Sequence, residues 1–102
     1  MRTWRNQHPE ADVPAWFDEH CEDNSWCNDA MPIFHYNRAL AVFVDYADPD
    51  QSEFAAERRS GRYKRFSVVA INPSDALNAY ADHDLFQTDC LEELKAWLSS
   101  RQ

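Results

Sequence analysis

An α+β fold, a small and mainly antiparallel sheet with three to four short helices packed on one face, is predicted by this 102-residue sequence. Two short runs, residues 40–46 and 63–71, are apolar and rich in β-branched and aromatic side chains, the composition of strands packed on at least one face. Around them lie segments with helix-start residues or apolar side chains three and four apart, each long enough for only a few turns. Sixteen residues separate Tyr46 from Tyr63, and a helix short enough to fit there favours antiparallel pairing of the two runs over a parallel crossover. The length corresponds to one domain, residues 1–102, with a single core.

Taken in order, residues 1–8 carry Trp4 but no periodicity, which predicts a frayed start or one short strand. A helix is expected over 12–21, where Asp12 stands at a capping position, Pro14 suits the first turn, and Val13, Trp16, Phe17 and His20 share a face. Glu22-Asp23-Asn24-Ser25 ends it, 26–32 reads as loop, and 33–36 as a short edge strand. In the first long run, Leu40, Val42, Val44 and Tyr46 alternate with Ala41, Phe43 and Asp45, and the first set is expected to face the core. Asp50-Gln51-Ser52-Glu53 has capping-box spacing, so a two-turn helix should pass through Phe54 and stop near Gly61, the one glycine of the sequence. After the second run, Asn72-Pro73-Ser74-Asp75 is a helix start, with Leu77, Tyr80 and Ala81 as the buried stripe. Leu85-Phe86-Gln87 is extended, and 90–99 is the clearest helix: Asp89 and Glu92 form a capping box, and Leu91, Leu94, Trp97 and Leu98 repeat at three and four.

Hydrophobic residues make up 44% and aromatic residues 14%, too much for a disordered chain despite a formal net charge of −8. No apolar run approaches the roughly 18 residues of a membrane helix, and the first residues lack a secretory apolar stretch, so a cytoplasmic location is expected. Three cysteines are an odd number, which argues for reduced thiols over a disulfide framework. The charge is unevenly spread. Residues 6–37 hold seven carboxylates and no Lys or Arg, 45–57 adds five carboxylates, and the only basic cluster, Arg58, Arg59, Arg62, Lys64 and Arg65, comes directly after.

Several chemistries are disfavoured by what is missing. One glycine cannot build a phosphate-cradling or dinucleotide loop, and the sequence holds neither a Gly-x-Ser-x-Gly turn nor a His-Glu-x-x-His pair. His20, Cys21, Cys27, Asp29 and His35 are metal-ligand types within sixteen residues, but five residues separate the two cysteines, where structural zinc sites favour two to four. An alternative therefore stands in which His20, Cys27, Asp29 and His35 serve a small enzyme or metal protein; the leading expectation is no cofactor and no catalytic residue. Tyr63 and Phe66 interleaved with Arg58–Arg65 could track a nucleic-acid backbone, but a chain at −8 would bind it against long-range repulsion, and the expectation is no direct nucleic-acid binding.

The acidic segments give the leading functional expectation. Glu19, Glu22, Asp23 and Asp29, with Asp45, Asp48, Asp50 and Glu53, would present carboxylates around Trp26, a field that steers a basic partner onto an aromatic anchor. Proteins that handle DNA or RNA carry matching basic grooves, which a small acidic domain can occupy in place of phosphate. Ser25-Trp26-Cys27-Asn28-Asp29-Ala30-Met31-Pro32-Ile33-Phe34, Val42-Phe43-Val44-Asp45-Tyr46 with Asp48-Pro49, and Arg65-Phe66-Ser67-Val68-Val69 resemble small uncharacterised accessory proteins of bacterial plasmids and integrating mobile elements. Cys27 and Met31 depart from that pattern, which has histidine and cysteine there. What the resemblance implies is a setting in which compact acidic proteins block host nucleases or CRISPR effectors. The expectation is thus a non-enzymatic anti-CRISPR-like or other host-defence inhibitor that docks on a basic nucleic-acid-handling protein, as a monomer or homodimer; an oligomeric structural module is a further alternative.

Overall fold

The computed structural model describes residues 3–26, 29–72, 79–81 and 83–101. Its centre is an antiparallel sheet of five strands in the order β1 (Glu22–Asp23), β2 (Ile33–His35), β3 (Leu40–Val44), β4 (Phe66–Ala70) and β5 (Phe86–Thr88), each paired with the next. Helices α1 (Trp4–Gln7), α2 (Ala15–His20), α3 (Ala55–Ser60) and α4 (Leu91–Ser99), with a 3-10 turn at Pro49–Gln51, complete the described elements. None of these helices is long and apolar enough to cross a membrane.

The period-two alternation of the strands sorts side chains between two unequal faces. Phe34, Val42, Val68 and Phe86 form one cross-strand row, with Val44 opposite Phe66 beside it. On this face the sheet buries Phe34, Leu40, Val42, Val44, Phe66 and Val68 against Phe17 of α2 and Leu94 and Leu98 of α4, with Trp4 of α1 partly buried at the margin. Stabilisation here is hydrophobic, at about 25 cal/mol per Å² of apolar surface removed from water. The opposite face carries a smaller cluster of Ile33, Ala41 and Val69, flanked by Phe43, Ile71 and Tyr80.

Both long strands are shorter than the composition predicts, and side chains are the reason. β3 stops at Val44 because the Asp45 side chain turns to internal partners and caps the Tyr46 amide at 2.8 Å. β4 starts at Phe66 because the preceding amides are taken by side chains: Lys64 N donates to Gln87 Oε1 at 3.1 Å and Arg65 N to Asp89 Oδ1 at 2.8 Å. Antiparallel pairing of the two runs is as predicted, Val42 lying opposite Val68.

Other elements depart from the sequence reading. Residues 3–8 are neither frayed nor a strand; they form the single turn α1, docked along β1. The second helix begins at Ala15, because Asp12 Oδ1 accepts from Ala47 N at 3.1 Å instead of capping its own helix. Glu22-Asp23, expected only to terminate that helix, pairs with β2 as the outer strand, so β2 is interior and not an edge. Ser25 closes the β1–β2 connection from a fully buried position, its Oγ accepting from Ile33 N at 3.1 Å. Asp50 does not begin the expected capping box with Glu53; it lies inside a 3-10 turn that Asp48 Oδ1 caps through Asp50 N at 2.9 Å, and α3 starts later, at Ala55. Thr88 replaces the expected Asp89–Glu92 box at α4, accepting from Cys90 N at 3.0 Å and donating to Glu93 Oε1 at 3.2 Å. The helix expected after Asn72, with Leu77, lies largely outside the described residues, while Tyr80 bridges to Ile71 and Ala81 N donates to Ala70 O at 2.9 Å.

Gly61 closes α3 as the sequence predicts, with φ of 82° in the left-handed region. Nothing lies within 4 Å of where a Cβ would sit, so Gly61→Ala has no steric clash to relieve and tests backbone preference alone. A loss of about 1–2 kcal/mol is expected in urea unfolding. An unchanged midpoint would contradict the capping role.

Candidate binding surface

The antiparallel meander decides which connections meet. β1 runs toward the end of the sheet where β2 and β4 begin and where β3 and β5 finish. The connections 24–32 and 45–65 therefore lie at one end, and Val44 N donates to Pro32 O at 2.9 Å where they touch. Both acidic segments singled out in the sequence reach this region, and so does the basic cluster.

The basic cluster folds back on its own carboxylates. Asp45 is 3% exposed and paired with Arg58 at 3.1 Å; Arg58 Nη1 also donates to Tyr46 O at 2.8 Å, and Ser52 Oγ donates to Asp45 Oδ2 at 2.6 Å. A carboxylate in that position offers no charge to a partner, which corrects its place on the expected acidic face. Arg59 pairs with Asp50, Lys64 approaches Asp89 at 3.9 Å, and Arg65 reaches Asp12 at 3.4 Å. Asp48 is exposed but spends Oδ1 on the 3-10 turn, and Glu53 is exposed. The connection thus neutralises much of its own charge, and the 45–53 half of the acidic face is weaker than its composition suggests. The same pairing engages Arg58, Arg59, Lys64 and Arg65, and Phe66, one of the two interleaved rings, is core at 1% exposure.

The 18–29 segment is different. Glu19 at the end of α2 and Glu22 on β1 are exposed, and Trp26 is a large hydrophobic side chain at 40% exposure. Asp23 is half-buried and works locally, Oδ2 accepting from Trp4 N at 2.7 Å and Oδ1 from Ser25 N at 3.0 Å. Asp29 is half-buried close enough to Tyr80 to help hold its phenol above the usual range, after the larger effect of burial. Asp18, not singled out in the sequence, is held by Arg5, whose hydrogen bond keeps its carboxyl below the usual range. Asp18 and Asp23 thus meet α1 at the β1 margin of the sheet, with Arg5 as their cation, while Glu22 lines a depression with His20, His35 and Arg38. His8 is buried, and its Nε2 lies 2.9 Å from the Trp26 carbonyl, tying the N-terminal turn to the Trp26 loop.

Of the residues of the enzyme or metal alternative, His20 and His35 line one depression together with Glu22. His20 stacks on Trp16 with ring centroids 5.1 Å apart, and its Nδ1 is 3.1 Å from the Trp16 carbonyl. His35 Nε2 lies 2.7 Å from the Tyr80 hydroxyl and 2.8 Å from the Asn24 amide, and burial holds the imidazole below its usual pKa despite Glu22. Burial pushes the Cys21 thiol up to about 12, so it is neither a thiolate nucleophile nor a ready metal ligand at neutral pH. Cys27 lies outside the described residues, and among those described no three His, Cys, Asp or Glu side chains could hold a metal ion.

One further depression, of about 250 Å³, sits on the second face of the sheet between Phe43, Phe54, Val69 and Tyr63. Lys64, Asp45 and Asp84 stand on its walls, and burial raises the Asp84 carboxyl above its usual range. No protein-family model matches the chain, and neither a curated protein nor a solved structure matches it significantly.

Proposed function

We propose that this is a non-enzymatic binding protein whose β1 margin docks on a basic, nucleic-acid-handling protein, in the manner of an anti-CRISPR or other host-defence inhibitor from a mobile element. What supports the reading is the exposure of Glu19 at the end of α2, of Glu22 on β1 and of Trp26 in the connection that follows β1, while in the other acidic segment Asp45 and Asp50 are paired with Arg58 and Arg59. An aromatic side chain in a field of one sign is the arrangement in which charge accelerates encounter and the ring supplies buried contact area. Asp48, Asp50 and Glu53 lie outside this margin and contribute to the long-range field of a chain at −8.

Affinity capture from a bacterial lysate should retain basic nucleases or DNA- and RNA-binding proteins. Glu19→Arg/Glu22→Arg should slow association with a captured protein by about tenfold or more near 0.1 M salt, with the difference vanishing near 1 M as the Debye length falls to about 3 Å. Association kinetics unmoved by the double reversal at low salt would remove the reading.

A further inference from the structure

The β1 margin already holds a ligand of a kind, supplied by the chain itself. Arg5 grips Asp18 with both ends of its guanidinium, Nη1 to Oδ1 at 3.2 Å and Nη2 to Oδ2 at 2.7 Å. The Trp4 indole Nε1 donates to the same Oδ1 at 3.1 Å, the Trp4 backbone N donates to Asp23 Oδ2 at 2.7 Å, and the guanidinium lies 4.5 Å from the Trp4 ring centroid. A stacked aromatic and arginine side chain thus reads two neighbouring carboxylates through a planar fork, an indole N–H and one backbone amide, which is a specific recognition geometry.

We propose that the chain's own Trp4-Arg5 is an internal stand-in for the partner: the β1 margin recognises an aromatic–arginine segment, and residues 3–8 are a strap that such a segment displaces. This rests on the docking reading above and names the chemistry the partner must offer. Three features make the strap exchangeable. α1 is one four-residue turn with no buried residue, too short to persist as a helix away from its dock. The Arg5–Asp18 pair is solvent-accessible, with the Arg5 side chain 61% exposed, and exposed pairs contribute little net stability. The linker 9–14 contains Pro9 and Pro14, which limit its freedom and so the entropy gained or lost when the strap moves. Displacement would also reach the anchor, because His8 on the strap holds the Trp26 carbonyl. Protection of the short outer strand β1 is the structural role that α1 has in any case; recognition of a segment in trans is what goes beyond it.

The probe is a labelled synthetic peptide with the sequence of residues 3–8, titrated by fluorescence anisotropy against full-length protein. Arg5→Ala, which loosens the strap, should bind the peptide about tenfold more tightly than wild type. Adding Asp18→Asn should abolish that binding, and a peptide with lysine in place of its arginine should bind at least several-fold more weakly, because it lacks the fork. Circular dichroism checks that Arg5→Ala is folded; if it is not, Arg5→Lys keeps the charge, removes the fork and takes its place. Absent binding to the loosened variant, equal binding to wild type, or indifference to Asp18→Asn would overturn the strap. Absent peptide binding with intact salt-dependent capture sinks the strap alone, whereas peptide binding without charge-dependent capture upholds segment recognition and sinks the partner class.

Discussion

Arg58→Ala is expected to destabilise the protein by about 3–5 kcal/mol, because it strands a carboxylate that the fold has taken out of water. Asp45 and Arg58 have side chains only 3% and 5% exposed, and with Arg58 gone Asp45 keeps the Ser52 hydroxyl as a side-chain partner while the Tyr46 carbonyl loses a donor. The loss would be a large fraction of the about 5–15 kcal/mol typical of a folded domain. Replacing both partners, Asp45→Leu with Arg58→Met, should cost much less than the single change, since no charge is then left unpaired. Urea unfolding of the three proteins tests this directly. A single-variant cost below about 1 kcal/mol, the range of exposed pairs, would mean that Asp45 reaches water in solution and belongs to the surface field after all.

Phe17→Ala should cost about 3–5 kcal/mol, the range of large aromatic truncations in packed cores. Phe17 is fully buried, with its ring 5.1 Å from Phe34 and 5.8 Å from Phe66, and so joins α2 to strands β2 and β4 on one face of the sheet. The cavity would open in the middle of the main core, where neighbours from three elements cannot all collapse into it. Phe43→Ala, on the thinly covered second face, removes a ring of the same size that is only partly buried, and should cost clearly less. Equal losses at the two positions would show that both faces are packed alike. Beyond stability, Phe17→Ala should loosen α2 and with it Asp18, so salt-dependent capture through the β1 margin should weaken even in the fraction that remains folded.

The legible and illegible parts of this fold separate by the range of the interactions behind them. The runs at 40–46 and 63–71, the stop at Gly61 and the helix 90–99 were readable because alternation, positive-φ preference and three-four periodicity are properties of neighbouring residues. Strand ends were not, since they depend on Gln87 and Asp89 reaching back to the amides of Lys64 and Arg65 across more than twenty positions. Thr3–His8 carried no periodic signal because one turn cannot have one; it is held by Asp18, Asp23 and the Trp26 carbonyl. Glu22-Asp23 looked like a helix stop because two polar residues have too little pattern to announce a strand, and pairing with Phe34 and His35 decided the matter.

The charge map followed the same division. The sequence alone determined that the chain is acidic and that carboxylates and cations come in blocks. Only the tertiary structure decided which charges are paired and which are exposed: the 45–65 connection buries Asp45 against Arg58 and pairs Arg59 with Asp50, while Glu19, Glu22 and Trp26 stay at the surface. The reason is physical. Net charge is a sum that no folding changes, whereas its distribution depends on which side chains the topology brings within a few ångströms, where a pair in low dielectric interacts far more strongly than the same pair in water.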